Sequence, residues 1–414
     1  MELIGLFLAI IAVIAVTSKW HEVTYGIILG IGIIIFFSSL SLDTVISTTV
    51  GAATSINILS LTAIVLFITL FSAVMYRAQL FDKLSSSLIG MLKNIQLLIA
   101  AIPAIVGLLA VPGGAIMAAP FVDKLGDRVQ MDPAHRSSAN NFYRHILMYF
   151  NPLAPILIVA ADLSTLGFMP IITFHLVPVL VTVIVGHIIL TRLSSPKIPE
   201  PGTADASSES NAIPSFTASL KEFLYSGFPL MAAIFLALIV GVNFILSLAI
   251  AVMLVVFLDY TGNKILKASD IKLMLTQGIN WKLGVAVFTI LLFGAFIQAS
   301  GAIPIMAEII GDMDMPLLLI ILVSSVIVGF TSGHPMVGSA ILYPIFLPIV
   351  DGSVAYLSFI LTGIMLGYMV SPVHLCMIVS NGHFKSGYVK SSKLAMGLQL
   401  VLTLVAIAMI FLVY

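Results

Sequence analysis

Apolar residues in this chain come in runs, and the places where the runs fail carry most of the information. Leu3–Val16 and Val23–Leu40 are joined by Lys19-Trp20, and a weakly polar stretch, Ser41–Ser55, leads into Ile56–Met75. Arg77, Asp82, Lys83 and Lys93 mark an aqueous interval. Ile95–Val111 then stops at Pro112-Gly113-Gly114 and resumes as Ala115–Val122. After the charged residues 123–132 come Pro133–Asn151, Pro152–Phe168 and Pro170–Leu190. The runs do not alternate and have about the length a bilayer needs, so they predict membrane helices rather than barrel strands. A run that breaks at Pro-Gly-Gly near its far end predicts a re-entrant hairpin with its tip inside the protein.

The second half repeats this order. Gly227–Val242 and Ile245–Leu258 precede a Lys-bearing interval, Lys264–Lys282, and then Leu283–Gln298. An acidic interval with Glu308, Asp312 and Asp314 follows. Leu317–Thr331 breaks at Ser332-Gly333-His334-Pro335 and resumes as Met336–Val350. Ala355–Val370 breaks at Ser371-Pro372 and resumes as Val373–Ser380, before the final run Leu394–Val413. The hairpin breaks fall at 112 and 332 and the helix breaks at 151 and 371, an offset of 220 in both cases. Residues 1–193 and 216–414 are therefore read as two repeats. Between them, SSPKIPEPGTADASSESNAIPS (194–215) is too rich in Pro, Ser and acid to bury a core and reads as a disordered cytoplasmic linker.

Charge placement sets the orientation. If neither hairpin crosses, each half has five crossings, and an odd number inverts the second half. With both termini outside, every Lys and Arg falls on the cytoplasmic side except Arg144, while Glu2, Asp43, Glu308, Asp312, Asp314 and Asp351 fall outside. That is the positive-inside pattern. The expected fold is an all-α polytopic membrane protein: two inverted repeats of five crossings, each with one re-entrant hairpin and one broken helix. In such folds sites sit near the midplane, where discontinuous helices meet.

Composition agrees and excludes alternatives. Hydrophobic residues make up 60% of the chain and charged ones only 9%, against about 25% charged in soluble domains. The net charge of zero gives no basic surface for nucleic acid. The single Cys376, in an apolar run, excludes an internal disulfide framework or a thiolate metal cluster, and no metal site is expected. The first run lacks a basic flank and a small-residue cleavage site, so it reads as a retained helix rather than a signal peptide.

Candidate chemistry centres on Tyr143–Asp162, YRHILMYFNPLAPILIVAAD. Pro152 has no N–H to donate, so carbonyls about one turn earlier lose a partner and become able to ligate a cation. Free N–H groups on the next half-helix can hold an anion. The bland alternative is a proline kink solvated by neighbouring helices. Asn141, Arg144 and His145 are spaced i, i+3, i+4, and Asn151 continues that polar face. A charge at the depth of Arg144 costs about 2.5–3.5 kcal/mol, so it should meet an anion, form an ion pair (with Asp162, for instance) or snorkel to the interface. Asp162 itself reads as an ion-pair partner or a cation ligand. The residue equivalent to Arg144 at the same offset is Ile364, which makes the site asymmetric.

Pro112, Gly113 and Gly114, with Ser332, Gly333 and His334 opposite, offer backbone amides at the hairpin tips, or are simply turns that reverse the chain. Ser371 and His374 flank the second break, and Asn381 either caps its half-helix or reaches the pocket. His334 or His374 is able to carry a coupling proton, although a lone membrane histidine is more often a hydrogen-bonded core residue. His383 reads as interfacial, and His175 and His187 as structural. No phosphate-cradling Gly-rich loop, His-Glu-x-x-His or Gly-x-Ser-x-Gly is present, so ATP-driven transport, an intramembrane metalloprotease and a hydrolase lack support.

FYRHILMYFNPLAPILI (142–158) and SPVHLCMIVSNGHF (371–384), together with the two hairpin breaks, resemble a prokaryotic integral-membrane family. This is the domain of unknown function 401, related to gluconate permeases in the ion-transporter superfamily. The likeness spans nearly the whole chain; SPVHLC is its more specific part, and the hairpin tips mark only the superfamily. The resemblance implies an inverted repeat with two re-entrant hairpins and secondary transport of a small organic anion with H+ or Na+. The expectation is a multi-pass transporter of the cytoplasmic membrane, not an enzyme. Its partners would be a small anionic substrate and membrane lipid, its assembly a homodimer, and it would need no cofactor beyond the coupling ion. Two rivals stand beside it: a flippase for an anionic phosphorylated lipid, and a membrane enzyme using His334 or His374 as a base.

Overall fold

Each apolar run contains helix, and no strand occurs among the described residues. The computed structural model describes residues 1–20, 22–108, 114–194, 215–267, 270, 273–312 and 315–413. Pro112, Gly113 and linker positions 195–214 lie outside them. The first half contains α1 (Glu2–Trp20), α2 (Val23–Phe37), α3 (Leu42–Thr54), α4 (Ile56–Arg77) and α5 (Leu80–Met91). It continues with α6 (Ile95–Leu108), α7 (Gly114–Arg128), α8 (Pro133–Ile146), α9 (Pro155–Leu163) and α10 (Phe168–Arg192). The second half contains α11 (Phe216–Phe235), α12 (Phe244–Leu258), α13 (Trp281–Ala299), α14 (Ala302–Gly311) and α15 (Leu317–Ser332). It ends with α16 (Pro335–Phe346), α17 (Val354–Met369), α18 (Leu375–Phe384) and α19 (Tyr388–Val413).

Among the described residues, six helical segments are long and apolar enough to cross a membrane: α4, α10, α13, α19, and α11 and α12 with their continuations to Val240 and Gly262. The protein is an all-α polytopic membrane protein. Caps set several helix starts. Ser41 Oγ accepts from Thr44 N, and Asn280 Oδ1 accepts from Leu283 N. Asp132 accepts from Ala134 N, with Pro133 opening α8 where its missing N–H costs nothing.

Hydropathy alone missed three helices and misplaced a boundary. Ser41–Ser55 contains α3, and the two charged intervals contain the short helices α5 and α14. The helix expected from Gly227 starts at Phe216, because Ser215 caps it and its polar first turns form helix without being apolar.

Two helical hairpins and two broken helices pack together. The arms α6 and α7 touch each other, as do α15 and α16. The first arm of each hairpin lies on the broken helix of its own half: α6 on α8, and α15 on α17. The second arm crosses to the other half: α7 meets α18, and α16 meets α9. α4 packs on α13 and α10 on α19. Backbone contact makes the first arms fit. A Cβ on Gly107 would collide with the Arg144 carbonyl, and one on Gly329 with the Ile364 carbonyl. Only glycine permits that approach.

Candidate functional site

Both broken helices interrupt where proline removes an N–H, and in each a polar side chain closes the gap. α8 runs through a 3-10 turn at Leu147–Tyr149 into residues 150–154, and α9 begins at Pro155. Asn151 donates from Nδ2 to the Leu108 carbonyl at the end of α6 (2.9 Å) and accepts from Leu153 N (3.0 Å). At the second break Ser371 donates to the Phe330 carbonyl near the end of α15 (2.6 Å) and accepts from Val373 N (3.3 Å). These two expected ligands tie each hairpin to its break. Tyr388 donates to the Val370 carbonyl at the second break, and Gln399 donates to the Tyr149 hydroxyl beside the first.

The polar face of α8 turns inward. Asn140, Asn141, Arg144 and His145 are all buried, Arg144 being 7% exposed. Arg144 does not snorkel; it donates from Nη1 to Cys376 Sγ at 2.9 Å. Asp162, its suggested ion-pair partner, forms no ion pair among the described residues. Its place is near the end of α9, where its carbonyl accepts from Thr165 N. Asn141 is fully buried, and neither atom of its side-chain amide has a hydrogen-bond partner among the described residues. Such a group costs about 1–3 kcal/mol unless a ligand or water meets it.

Opposite α8 lies the second break. The His145 and His374 rings are 4.9 Å apart edge to face, and Tyr368 lies against His374 with ring centroids 3.9 Å apart. His145 Nδ1 sits 2.6 Å from the Asn141 carbonyl, and that acceptor obliges Nδ1 to carry the proton. Nε2 is then an acceptor, with the Tyr368 hydroxyl 3.3 Å away. His374 is fully buried, and neither ring nitrogen is hydrogen-bonded among the described residues. Ligand atoms of His145, His374 and Cys376 lie within 4.8 Å of one another.

The second hairpin tip adjoins this cluster. Gly333 is left-handed, with φ +57°, and a Cβ there would meet Val373 and Ser371. Ser332 donates to the Val328 carbonyl (2.6 Å) and accepts from His334 N (3.4 Å). His334 is close enough to His374 and Cys376 to interact electrostatically with both. Of the first tip, Gly114 is the first residue of α7. Asn381 is engaged elsewhere: about 7 Å along α18 from Cys376, its Oδ1 accepts from Ser137 (2.6 Å) and Ser386 (2.8 Å). His383 reaches Asp123 at 3.9 Å, while His175 is satisfied by the Ile171 carbonyl and Thr362.

Of the residues singled out from sequence, Arg144, His145 and His374 lie together at this junction with the second hairpin tip beside them, and Cys376 and Tyr368, not singled out, lie there too. The one available signal was local. Cys376 follows His374 by two residues at the start of a half-helix, directly after a proline break.

Paired hairpins meeting paired broken helices, with a buried arginine where they join, define a helical membrane protein of transporter-like fold. The chain belongs to the family described as protein of unknown function (DUF401), whose model matches residues 2–414. No protein of curated function matches it. Among solved structures it is similar to the Alcanivorax borkumensis YdaH transporter, reported as having an unusual topology. The two are 14% identical, with a TM-score of 0.64 covering 91% of this chain and 90% of that one. At that identity the likeness concerns the fold.

Proposed function

We propose that this protein is a secondary active transporter that moves a small organic anion, of carboxylate or sugar-acid type, across the cytoplasmic membrane, coupled to H+ or Na+. The observation that carries this reading is the buried Arg144 guanidinium at the junction of the two broken helices. A cation held at that depth has substrate anion as a natural partner. The unpartnered Asn141 amide one turn earlier on α8 supports it as a second group for the same ligand. Backbone amides at the hairpin tips complete the anion site, and carbonyls at the breaks serve the coupling cation. The reciprocal packing of α7 on α18 and α16 on α9, with breaks at one offset, supports two inverted repeats of five crossings. Both termini then lie outside and the linker inside. The hairpins and broken helices form a moving domain against a scaffold of the remaining helices, and the assembly is a homodimer. The transporter named above shares this fold, which supports transport over an enzymatic role.

A lipid flippase would need polar residues of α8 and α9 facing lipid. The polar face of α8 is buried instead, so nothing favours that reading.

Screening purified protein for thermal stabilisation by organic anions, with sodium and pH varied, tests the proposal. A transported anion should raise the melting temperature of the wild type and leave Arg144→Ala unshifted. Uptake into proteoliposomes should fall at least tenfold, about 1.4 kcal/mol, in the variant. Folded Arg144→Ala protein that binds and takes up every anion as the wild type does would overturn the anion role.

A further inference from the structure

A cluster of metal-ligand side chains stands at the same junction. His145 stands on α8, and His374 and Cys376 stand at the start of α18, so one group of ligand-type atoms is supplied by both halves. Three features go beyond proximity. The Asn141 carbonyl holds the His145 proton on Nδ1 and leaves the Nε2 lone pair directed outward. Ligating histidines are commonly oriented in this way. The His374 ring is fully buried with neither nitrogen in a geometric hydrogen bond among the described residues, and coordination would engage one of the two. Cys376 lies in the first turn of α18 with its sulfur 2.9 Å from the Arg144 guanidinium, which is placed to donate to a metal-bound thiolate.

We propose that His145, His374 and Cys376 bind one divalent cation of the zinc class, with Nε2 of His145, one nitrogen of His374 and the Cys376 thiolate as ligands. Binding releases the thiol proton. A thiolate with two imidazoles selects zinc-like ions over sodium, magnesium or calcium, so this site is distinct from that of a coupling ion. Bonds of about 2.0–2.3 Å to a tetrahedral zinc put ligand atoms about 3.3–3.6 Å apart. From a spread of up to 4.8 Å, the ligands must close by about 1 Å, a movement within the reach of imidazole and thiol rotamers. The long Tyr368 contact to His145 Nε2 is the one displaced. Arg144 stays as an outer donor to the bound sulfur.

Purified full-length protein, stripped with chelator and free of organic anion, is titrated with Co2+ and then with Zn2+. One Co2+ per chain should bind, with a near-ultraviolet thiolate-to-cobalt charge-transfer band and the intense visible bands of tetrahedral cobalt. Zn2+ should bleach both. Cys376→Ser should lose the charge-transfer band, and His374→Ala should bind zinc at least about tenfold more weakly. The wild-type spectrum decides even if a variant fails to fold: absence of the charge-transfer band, or its persistence in Cys376→Ser, overturns the proposal. Because no anion is present, this outcome is independent of whether the protein transports one.

Discussion

At the first break Asn151 ties its helix to the Leu108 carbonyl, and at the second Ser371 ties its helix to the Phe330 carbonyl, each also taking the N–H two residues on. The joints match, but the residues around them do not. Arg144 and His145 of the first half correspond to Ile364 and Met365 of the second, whereas His374 and Cys376 correspond to Ala154 and Ile156. The joints recur while the chemistry around them is divided between the two halves of the chain. One half brings the guanidinium and one imidazole; the other brings an imidazole and the thiol. These side chains meet in one cluster to which both halves contribute, not in two similar clusters.

The matched part of this comparison breaks most readily at the glycines. Gly107→Ala and Gly329→Ala each place a methyl group against a backbone carbonyl, of Arg144 and Ile364 respectively. Backbone cannot yield as a side chain does, so each should cost about 1–3 kcal/mol or more and lower the melting temperature in detergent, the two by similar shifts. A large loss at one glycine and none at the other would show that the two arms are not equivalent. Asn151→Ala and Ser371→Ala should cost less, about 1–2 kcal/mol each, since each leaves one hairpin carbonyl unpaired. The two share no partner, so the double variant should lose the sum to within about 0.5 kcal/mol. Strong coupling in that cycle, measured by thermal or denaturant unfolding, would mean that the joints work as one unit.

The joints were legible in sequence because proline and glycine interrupt apolar runs, and an interruption is a local signal. The cluster was legible only in part. Arg144 stood out because charge is conspicuous in an apolar chain, yet the sulfur it donates to lies 232 residues away on a cysteine marked only by its place just after His374 and a proline break. Asp162 drew attention by charge, but it belongs near the far end of a different half-helix from Arg144. Asn151 and Ser371 read as ligand candidates because polar residues at a break resemble binding groups, and closing the backbone gap, as both do, calls for the same residue types. The short helices α5 and α14 were overlooked for another reason. They are amphipathic or brief, and hydropathy windows suited to bilayer crossings average them away.

The smallest effect tests the comparison at the other end of the broken helices. α8 begins with Asp132, which caps Ala134 N and pairs with Lys390 at 2.7 Å. α17 begins with Ser353, whose side chain makes no cap bond. Hydrogen bonding from the Lys390 ammonium, helped by the Ala134 N–H and the ammonium charge, holds the Asp132 carboxyl below its ordinary value of 3.8. Because the folded value is the lower one, the pair adds stability above about pH 4 and loses it as acid titrates the folded carboxylate. The side chain is 37% exposed, so solvent screening keeps the gain to about 0.2–1 kcal/mol. Lys390→Ala should therefore melt slightly below the wild type at neutral pH, with the gap closing below the ordinary carboxylate value and shrinking in high salt. Ser353→Ala, which removes no titrating group, should shift the melting temperature by the same small amount at every pH. A pH-dependent gap for Ser353→Ala, or a constant one for Lys390→Ala, would remove this difference between the two helix starts.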